Sequence, residues 1–186
     1  MQEEVYEKSI FDEEQMPVRY AGFWERLGAL FLDGLILIPL TVINVYNQTT
    51  WKSAAILLIV GLAALTYKPL LEYLYGATPG KKALSLAVTN QAYNKPHLKE
   101  ALLRNIFGIV FGLGGLALSV FIFSDSQFAE VTTIGGYSQL KGQQGYSVAI
   151  TLLTGFIYIV DAIVLLANKR KRSLHDFIGN TYVIKK

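Results

Sequence analysis

Cysteine is absent from the 186 residues, histidine occurs only twice and proline only five times. Without cysteine, the chain has no disulfide bond, no thiolate metal ligand and no cysteine nucleophile. The two histidines, His97 and His175, lie in separate segments and lack the spacing of a zinc site. No Ser/His/Asp grouping is visible either. We therefore expect no enzyme, no metal site and no cofactor.

A nucleotide-binding phosphate loop is also missing. The segment 76–82 has three residues between its two glycines and then Lys-Lys. A phosphate loop has four residues between the glycines and then Lys-Ser or Lys-Thr. The basic run at 168–172 is typical of a segment that lies beside anionic lipids. Because no other basic patch stands out, we expect no nucleic-acid partner.

Charge is scarce, and long apolar segments take its place. Charged residues make up 17% of the chain, against about a quarter in soluble domains, and 52% of the residues are hydrophobic. About 20 helical residues cross the ~30 Å hydrocarbon core of a bilayer. A soluble bundle would show a polar stripe on each helix, which the third and fourth apolar segments lack. The sequence predicts an all-α membrane protein with four transmembrane helices, at about 27–46, 54–75, 106–123 and 147–167.

Lysine and arginine are distributed unevenly between the segments that join these spans. Fourteen lie in the N-terminal stretch, the loop 76–105 and the C-terminal tail, whereas the two other loops hold only Lys52 and Lys141. The positive-inside rule then places both termini in the cytoplasm and the chain in the inner or plasma membrane of the cell. Residues 1–18, with six acids and one lysine, are predicted to form a cytoplasmic tail before a membrane domain at 19–186.

The predicted cytoplasmic loop 76–105 has more pattern than a simple connection. Apolar and small or polar residues alternate from Leu84 to Thr89, which indicates a short strand. The segment 182–184 can pair with it as a small cytoplasmic β-hairpin, and 97–104 reads as a surface helix. The opposite loop, 124–146, is polar and contains four glycines, so we expect it to be flexible.

Charged residues inside the predicted spans are the strongest functional signal. Each costs ~2.5–3.5 kcal/mol at the centre of a span and therefore needs a partner or a wet cavity. Counting residues from the predicted inner ends of the helices places Asp33, Lys68, Glu72 and Asp161 about 5–10 Å deep in one slab of the inner half of the bilayer. Three different helices contribute to this slab.

Their spacing suggests partners but leaves the role open. Arg26 and Asp33 share one helical face, and Lys68 and Glu72 are four residues apart and can pair. Asp33 and Asp161 then remain to be matched by Arg26, by Lys68 or by each other, and two carboxylates held together would share a proton. Asp33, Asp161 and Glu72 are candidate cation or proton ligands with Arg26 and Lys68 as counter-ions. The alternative is a structural salt-bridge cluster.

Small residues recur in the third span. Gly108, Gly112, Gly115 and Ser119 are spaced four, three and four apart, which lets another helix approach closely. Packing within the chain is the simpler interpretation of this face. A homo-oligomer or a contact with another membrane protein is the alternative.

The residues collected above resemble the RDD family of small membrane proteins, named for one arginine and two aspartates. Arg26 and Asp33, within 20–33, match the Arg and the first Asp, and Asp161 matches the second. The loop that contains Gly76, Thr78, Pro79, Gly80 and Lys81 resembles the family's Gly-x-Thr-Pro-Gly-Lys segment, and Leu174, His175 and Asp176 resemble its Leu-His-Asp tail. The long loop 124–146 and Lys68 depart from the pattern.

Two functions follow from the residues and the resemblance. The family includes proposed sodium-or-lithium/proton antiporters, which implies exchange of Na⁺, Li⁺ or K⁺ for H⁺ through Asp33 and Asp161, with Arg26 tuning their protonation. The alternative is a non-transporting subunit that binds another membrane protein through the third span or the loop 124–146. In either case the lipid bilayer is the first partner.

Overall fold

The computed structural model describes residues 18–143 and 145–186. Almost all of the predicted tail at 1–18 lies outside these residues. Four helices are long and apolar enough to cross a membrane: α1 (Phe23–Tyr46, continued by a π-helical turn to Trp51), α2 (Ala54–Tyr75), α5 (Ile106–Phe123) and α7 (Gly145–Ala167). The prediction of four spans is confirmed.

Local capping explains where the first two spans begin. The Glu25 carboxylate accepts a hydrogen bond from the Gly22 amide at 2.9 Å, so α1 begins at Phe23 instead of the predicted 27. At its other end the buried Asn47 side chain bonds to both the amide and the carbonyl of Ser53 (2.9 and 3.0 Å), which closes the tight turn into α2. Ser53 then caps α2 through Ile56 N.

A small folded cap covers one end of the four-helix bundle. It consists of the short elements α3 (Pro79–Ala83), β1 (Leu86–Asn90), α4 (Leu98–Arg104), α8 (Leu174–Ile178) and β2 (Thr181–Lys185). The strands β1 and β2 pair antiparallel, with Val88 opposite Val183, so the predicted hairpin-like pairing is confirmed. Both valines pack with Ala21, Ala29 and Leu86 in an apolar core that joins the sheet to α1.

The segment at the opposite end of the bundle is folded, which differs from the flexible loop expected from its polarity. A 3₁₀ turn (Ser126–Glu130) and α6 (Ile134–Gln143) occupy it. Phe128, Val131, Tyr137 and Leu140 pack on Leu118 and Ile122 of α5. These four apolar side chains, scattered among polar residues, supply enough burial to order the segment.

Glycines set the contact between α2 and α5. A Cβ placed on Gly61 would lie 2.6 Å from Leu116 Cδ1, and one on Gly112 would lie 3.0 Å from Leu65 Cδ1. Part of the small-residue face of the third span therefore packs within the chain. Added Cβ atoms at Gly108 and Gly115 would meet no atom within 4 Å, so the face is open at these two glycines.

Candidate functional site

The intramembrane charges collect near the cap, but they form separate networks. Asp33, on α1, is 2% exposed. Its carboxylate accepts hydrogen bonds from Thr78 Oγ1 (2.6 Å), the Gly80 amide (2.8 Å) and Tyr67 Oη (3.1 Å). No lysine or arginine forms an ion pair with Asp33 in the described part of the chain. Asp33 thus clamps α1 to the segment 76–81, and three neutral donors take the place of a counter-ion.

The Gly-x-Thr-Pro-Gly-Lys segment is built for this close approach. Thr78 caps α3 through the Lys81 amide, and Pro79 is the first helical residue. A Cβ on Gly80 would lie 2.3 Å from the Ala29 carbonyl oxygen, so any side chain at this position would push the segment off α1. Gly76, with φ +69°, ends α2 in the left-handed conformation that favours glycine.

Glu72 is neutralised by the cap instead of by its own helix. It is 1% exposed and pairs with Lys81 Nζ and with Arg104 Nε (3.3 Å), while Asn105 Nδ2 donates a further bond of 2.9 Å. The expected Lys68–Glu72 pair does not form. The folded cap brings two better-placed cations to Glu72 from residues 9 and 32 positions away.

Arg26 turns away from Asp33, although both lie on one side of α1. Its Nη1 donates to Asp176 Oδ2 at 2.6 Å and its Nη2 to the Lys171 carbonyl at 2.5 Å. Asp176 is fully buried and also pairs with Arg104, so Arg26 and Glu72 belong to one network. Asp176 caps α8 and is in addition the ion-pair partner of Arg26. Sequence reasoning missed this part, and likewise Arg104 and Asn105.

Asp161 forms the third network, with the tail. Its Oδ1 accepts from the His175 backbone amide at 3.0 Å and lies 2.5 Å from His175 Nδ1. The side chains of Asp161 and His175 are 20% and 15% exposed, so this pair is more accessible than Asp33 or Glu72. Tyr158 stacks on the imidazole with ring centroids 6.0 Å apart, and Phe107 meets it edge-on at 5.4 Å.

A groove of about 360 Å³ runs between α5 and α7 next to this pair. Tyr158 belongs to both features, since it lines the groove and stacks on His175. Gly108 presents no side chain to the groove, which leaves space at this position. Its lining consists of Gly108, Phe111 and Gly112 on α5 and Ile150, Thr151, Thr154 and Tyr158 on α7.

Lys68 stands apart from all three networks. No hydrogen bond or ion pair joins it to another residue of 18–143 or 145–186, and its charge repels that of Lys81. The sequence predicts Lys68 to be a counter-ion, but no carboxylate within this part of the chain pairs with it. Nor do residues 18–143 and 145–186 bring three or more His, Asp or Glu side chains together in a way that could hold a metal ion.

Arg26, Asp33 and Asp161 therefore each connect a spanning helix to the cap. Asp33 binds the segment 76–81, whereas Arg26 and Asp161 bind the adjacent residues Asp176 and His175 of α8. The family model described as the RDD family matches residues 20–180. The chain belongs to the RDD family. In this RDD protein the loop and tail motifs bind the three residues that give the family its name. Thr78 and Gly80 of the loop motif bind Asp33. In the tail motif, Asp176 binds Arg26 and His175 binds Asp161. No curated protein and no solved structure matches the chain.

Proposed function

We propose that this RDD protein exchanges a small monovalent cation, Na⁺, Li⁺ or K⁺, for protons, with Asp161 as the carboxylate that binds both. The observation that supports it is the difference between the three candidate carboxylates. Asp33 is sealed by neutral donors and Glu72 is neutralised by two cations, whereas Asp161 is partly exposed and bonded to a histidine. Ionisable groups of this kind inside a membrane mark ion and proton pathways in many membrane proteins.

Competition for one carboxylate would couple the two ions. Histidine is the side chain that exchanges protons most readily near neutral pH. A proton held between Asp161 Oδ1 and His175 Nδ1 competes with a bound cation for the same carboxylate. A cation that binds Asp161 therefore displaces one proton, and return of the proton releases the cation. Arg26 interacts electrostatically with Asp161, which makes it the residue that tunes the exchange.

The test is proton movement in proteoliposomes of the purified protein, followed by a pH-sensitive dye after a pH jump with sodium, lithium and potassium in turn. Cation-dependent proton movement should disappear in Asp161→Asn and change its pH profile in His175→Gln. Glu130→Gln, which alters an exposed carboxylate near the opposite end of the bundle, is the matched control and should keep full activity. Folded protein that moves no protons with any cation would refute the proposal.

The alternative function, a non-transporting subunit, is favoured by the folded segment at the end opposite the cap. A 3₁₀ turn and α6 with their own apolar cluster are more than a connection between two spans needs. The exposed side chain of Ile134 at the start of α6 is suited to a photo-crosslinking residue. Two results together would support this function over exchange: a specific adduct with one membrane protein in native membranes, and proteoliposomes that show no proton movement with any cation. Neither function calls for a catalytic residue or a cofactor.

A further inference from the structure

We propose that the groove between α5 and α7 is a binding site for one anionic phospholipid, with an acyl chain along the groove and the phosphate at Lys68. The site does not depend on the proposed transport. It follows from the position of Lys68, from the absence of an ion-pair partner for Lys68 among residues 18–143 and 145–186, and from the shape of the groove.

The helix contacts place Lys68 level with the cap end of the groove. Lys68 shares a face of α2 with Leu65, three residues before it, and with Glu72, four residues after it. Leu65 contacts Gly112, and Glu72 bonds to Asn105, so antiparallel α5 runs beside this face. The stretch of α5 opposite Lys68 is then the one that contains Gly108, which lines the groove.

This level is close to the end of the span. Gly108 is two residues into α5, or ~3 Å along the helix axis. A lysine at such a position can extend its four-carbon stem to the headgroup layer. Counting along α2 alone puts Lys68 deeper, because α2 extends past the beginning of α5 into the cap. The ammonium group is therefore within reach of a lipid phosphate.

The nearby anions are already bound. Glu72 pairs with Lys81 and Arg104, Asp161 bonds to His175, and the Lys81 charge repels Lys68. Lys68 therefore pairs with no anion of the described residues, and the phosphate of an anionic lipid at this level can supply one. The positive-inside rule predicts that the cap faces the cytoplasmic leaflet, which is the leaflet that carries anionic lipids.

The groove favours an acyl chain over a polar ligand or a helix. Phe111 and Ile150 are apolar, and the Thr154 hydroxyl already donates to the Ile150 carbonyl at 2.7 Å. A transmembrane helix has a diameter of ~10 Å with its side chains, which is too wide for a groove of about 360 Å³. A single lipid chain is thin and flexible enough to enter it from the bilayer.

Lipid titration provides the first test. Purified protein in neutral phosphatidylcholine nanodiscs is compared with protein in nanodiscs of increasing phosphatidylglycerol content, and retained lipid is counted by native mass spectrometry. We expect one tightly retained phosphatidylglycerol. Retention should fall at least tenfold in Lys68→Gln and less than threefold in Lys68→Arg. Lys99→Gln, which removes an exposed charge at the same end, should leave retention unchanged.

Photo-crosslinking locates the bound acyl chain on the protein without any substitution. Phosphatidylglycerol with a diazirine on its acyl chain should label peptides that contain 108–112 and 150–158 in the wild-type protein. Labelling spread evenly over all four spans, or equal retention of the neutral lipid, would overturn the proposal. Competition by inorganic phosphate at similar concentration would show a small-anion site instead and would also overturn the proposal.

Discussion

At the scale of single residues, Glu72 holds α2 to the cap through a buried group of charges. Two cations and one amide surround its carboxylate at 1% exposure. The substitution Glu72→Gln would leave Lys81 without its anion and Arg104 with Asp176 alone. We expect it to lower the free energy of unfolding by ~3–5 kcal/mol, the usual cost of removing one partner of a buried pair.

Equilibrium denaturation in mixed micelles measures this loss. The control is Glu130→Gln, because Glu130 is an exposed carboxylate and its loss should change stability by less than ~0.5 kcal/mol. Equal stability of the Glu72→Gln variant and the wild type would mean that the Glu72 network contributes nothing to holding the cap.

Lys81 gives the same network a pH dependence. Burial lowers the pKa of Lys81 from 10.5 to about 8, against the opposing attraction of Glu72. Between pH 8 and 10.5 the unfolded chain therefore binds more protons at this position than the folded one. Because stability rises with pH wherever the unfolded state binds more protons, Lys81 should make the free energy of unfolding increase across this window.

The measurement is the slope of unfolding free energy against pH from 8 to 10.5 in the wild type and in Lys81→Met. The variant lacks the titrating group and should show a smaller slope. A slope unchanged by the substitution would assign the pH dependence to other residues.

At the scale of elements, the contact between α1 and α3 depends on Gly80. A new Cβ there would lie 2.3 Å from the Ala29 carbonyl oxygen and 2.8 Å from the Asp33 amide nitrogen. Both are backbone atoms, so no side-chain rotation relieves the clash. We expect Gly80→Ala to destabilise the protein by ~1–3 kcal/mol, as overpacking does elsewhere, and to break the Asp33 clamp.

Gly34→Ala is the matched control, since Gly34 lies on α1 one residue after Asp33 and an added Cβ meets no atom within 4 Å. This variant should be neutral or more stable by up to ~1 kcal/mol, because alanine is the better helix former. Thermal melting of both variants in the same detergent measures the difference in stability. Similar melting temperatures for the two would contradict the close packing of α3 on α1.

At the scale of the whole molecule, the predicted topology can be tested because the chain contains no cysteine. Single cysteines at the exposed positions Thr132 and Lys169 report on the two ends of the bundle. A membrane-impermeant maleimide should label Thr132→Cys in intact cells and Lys169→Cys only after the membrane is opened. Labelling of Lys169→Cys in intact cells would reverse the orientation that the positive-inside rule predicts.

Helices and strands could be predicted from the sequence where neighbouring residues specify them. The four spans, the strand near Leu86 and the helix that follows Pro96 were predicted from runs and alternation of nearby residues. The folded segment after α5 was not, because its order comes from burial of Phe128 and Tyr137 against α5, a contact between residues distant in sequence. Polarity and glycine content are properties of the segment 124–146 alone and do not predict its contact with α5.

The sequence by itself determined that this is a four-span membrane protein of the RDD type and which charged residues lie in its spans. Both conclusions rest on chain-local quantities, namely hydropathy over about 20 residues and motif spacing. Only the tertiary structure decided the partners. Arg26 binds Asp176 instead of Asp33, Glu72 binds Lys81 and Arg104 instead of Lys68, and Asp161 binds His175. Helical spacing identifies which charges share a face, but the cap supplies the partners, and its position depends on contacts that no local pattern encodes.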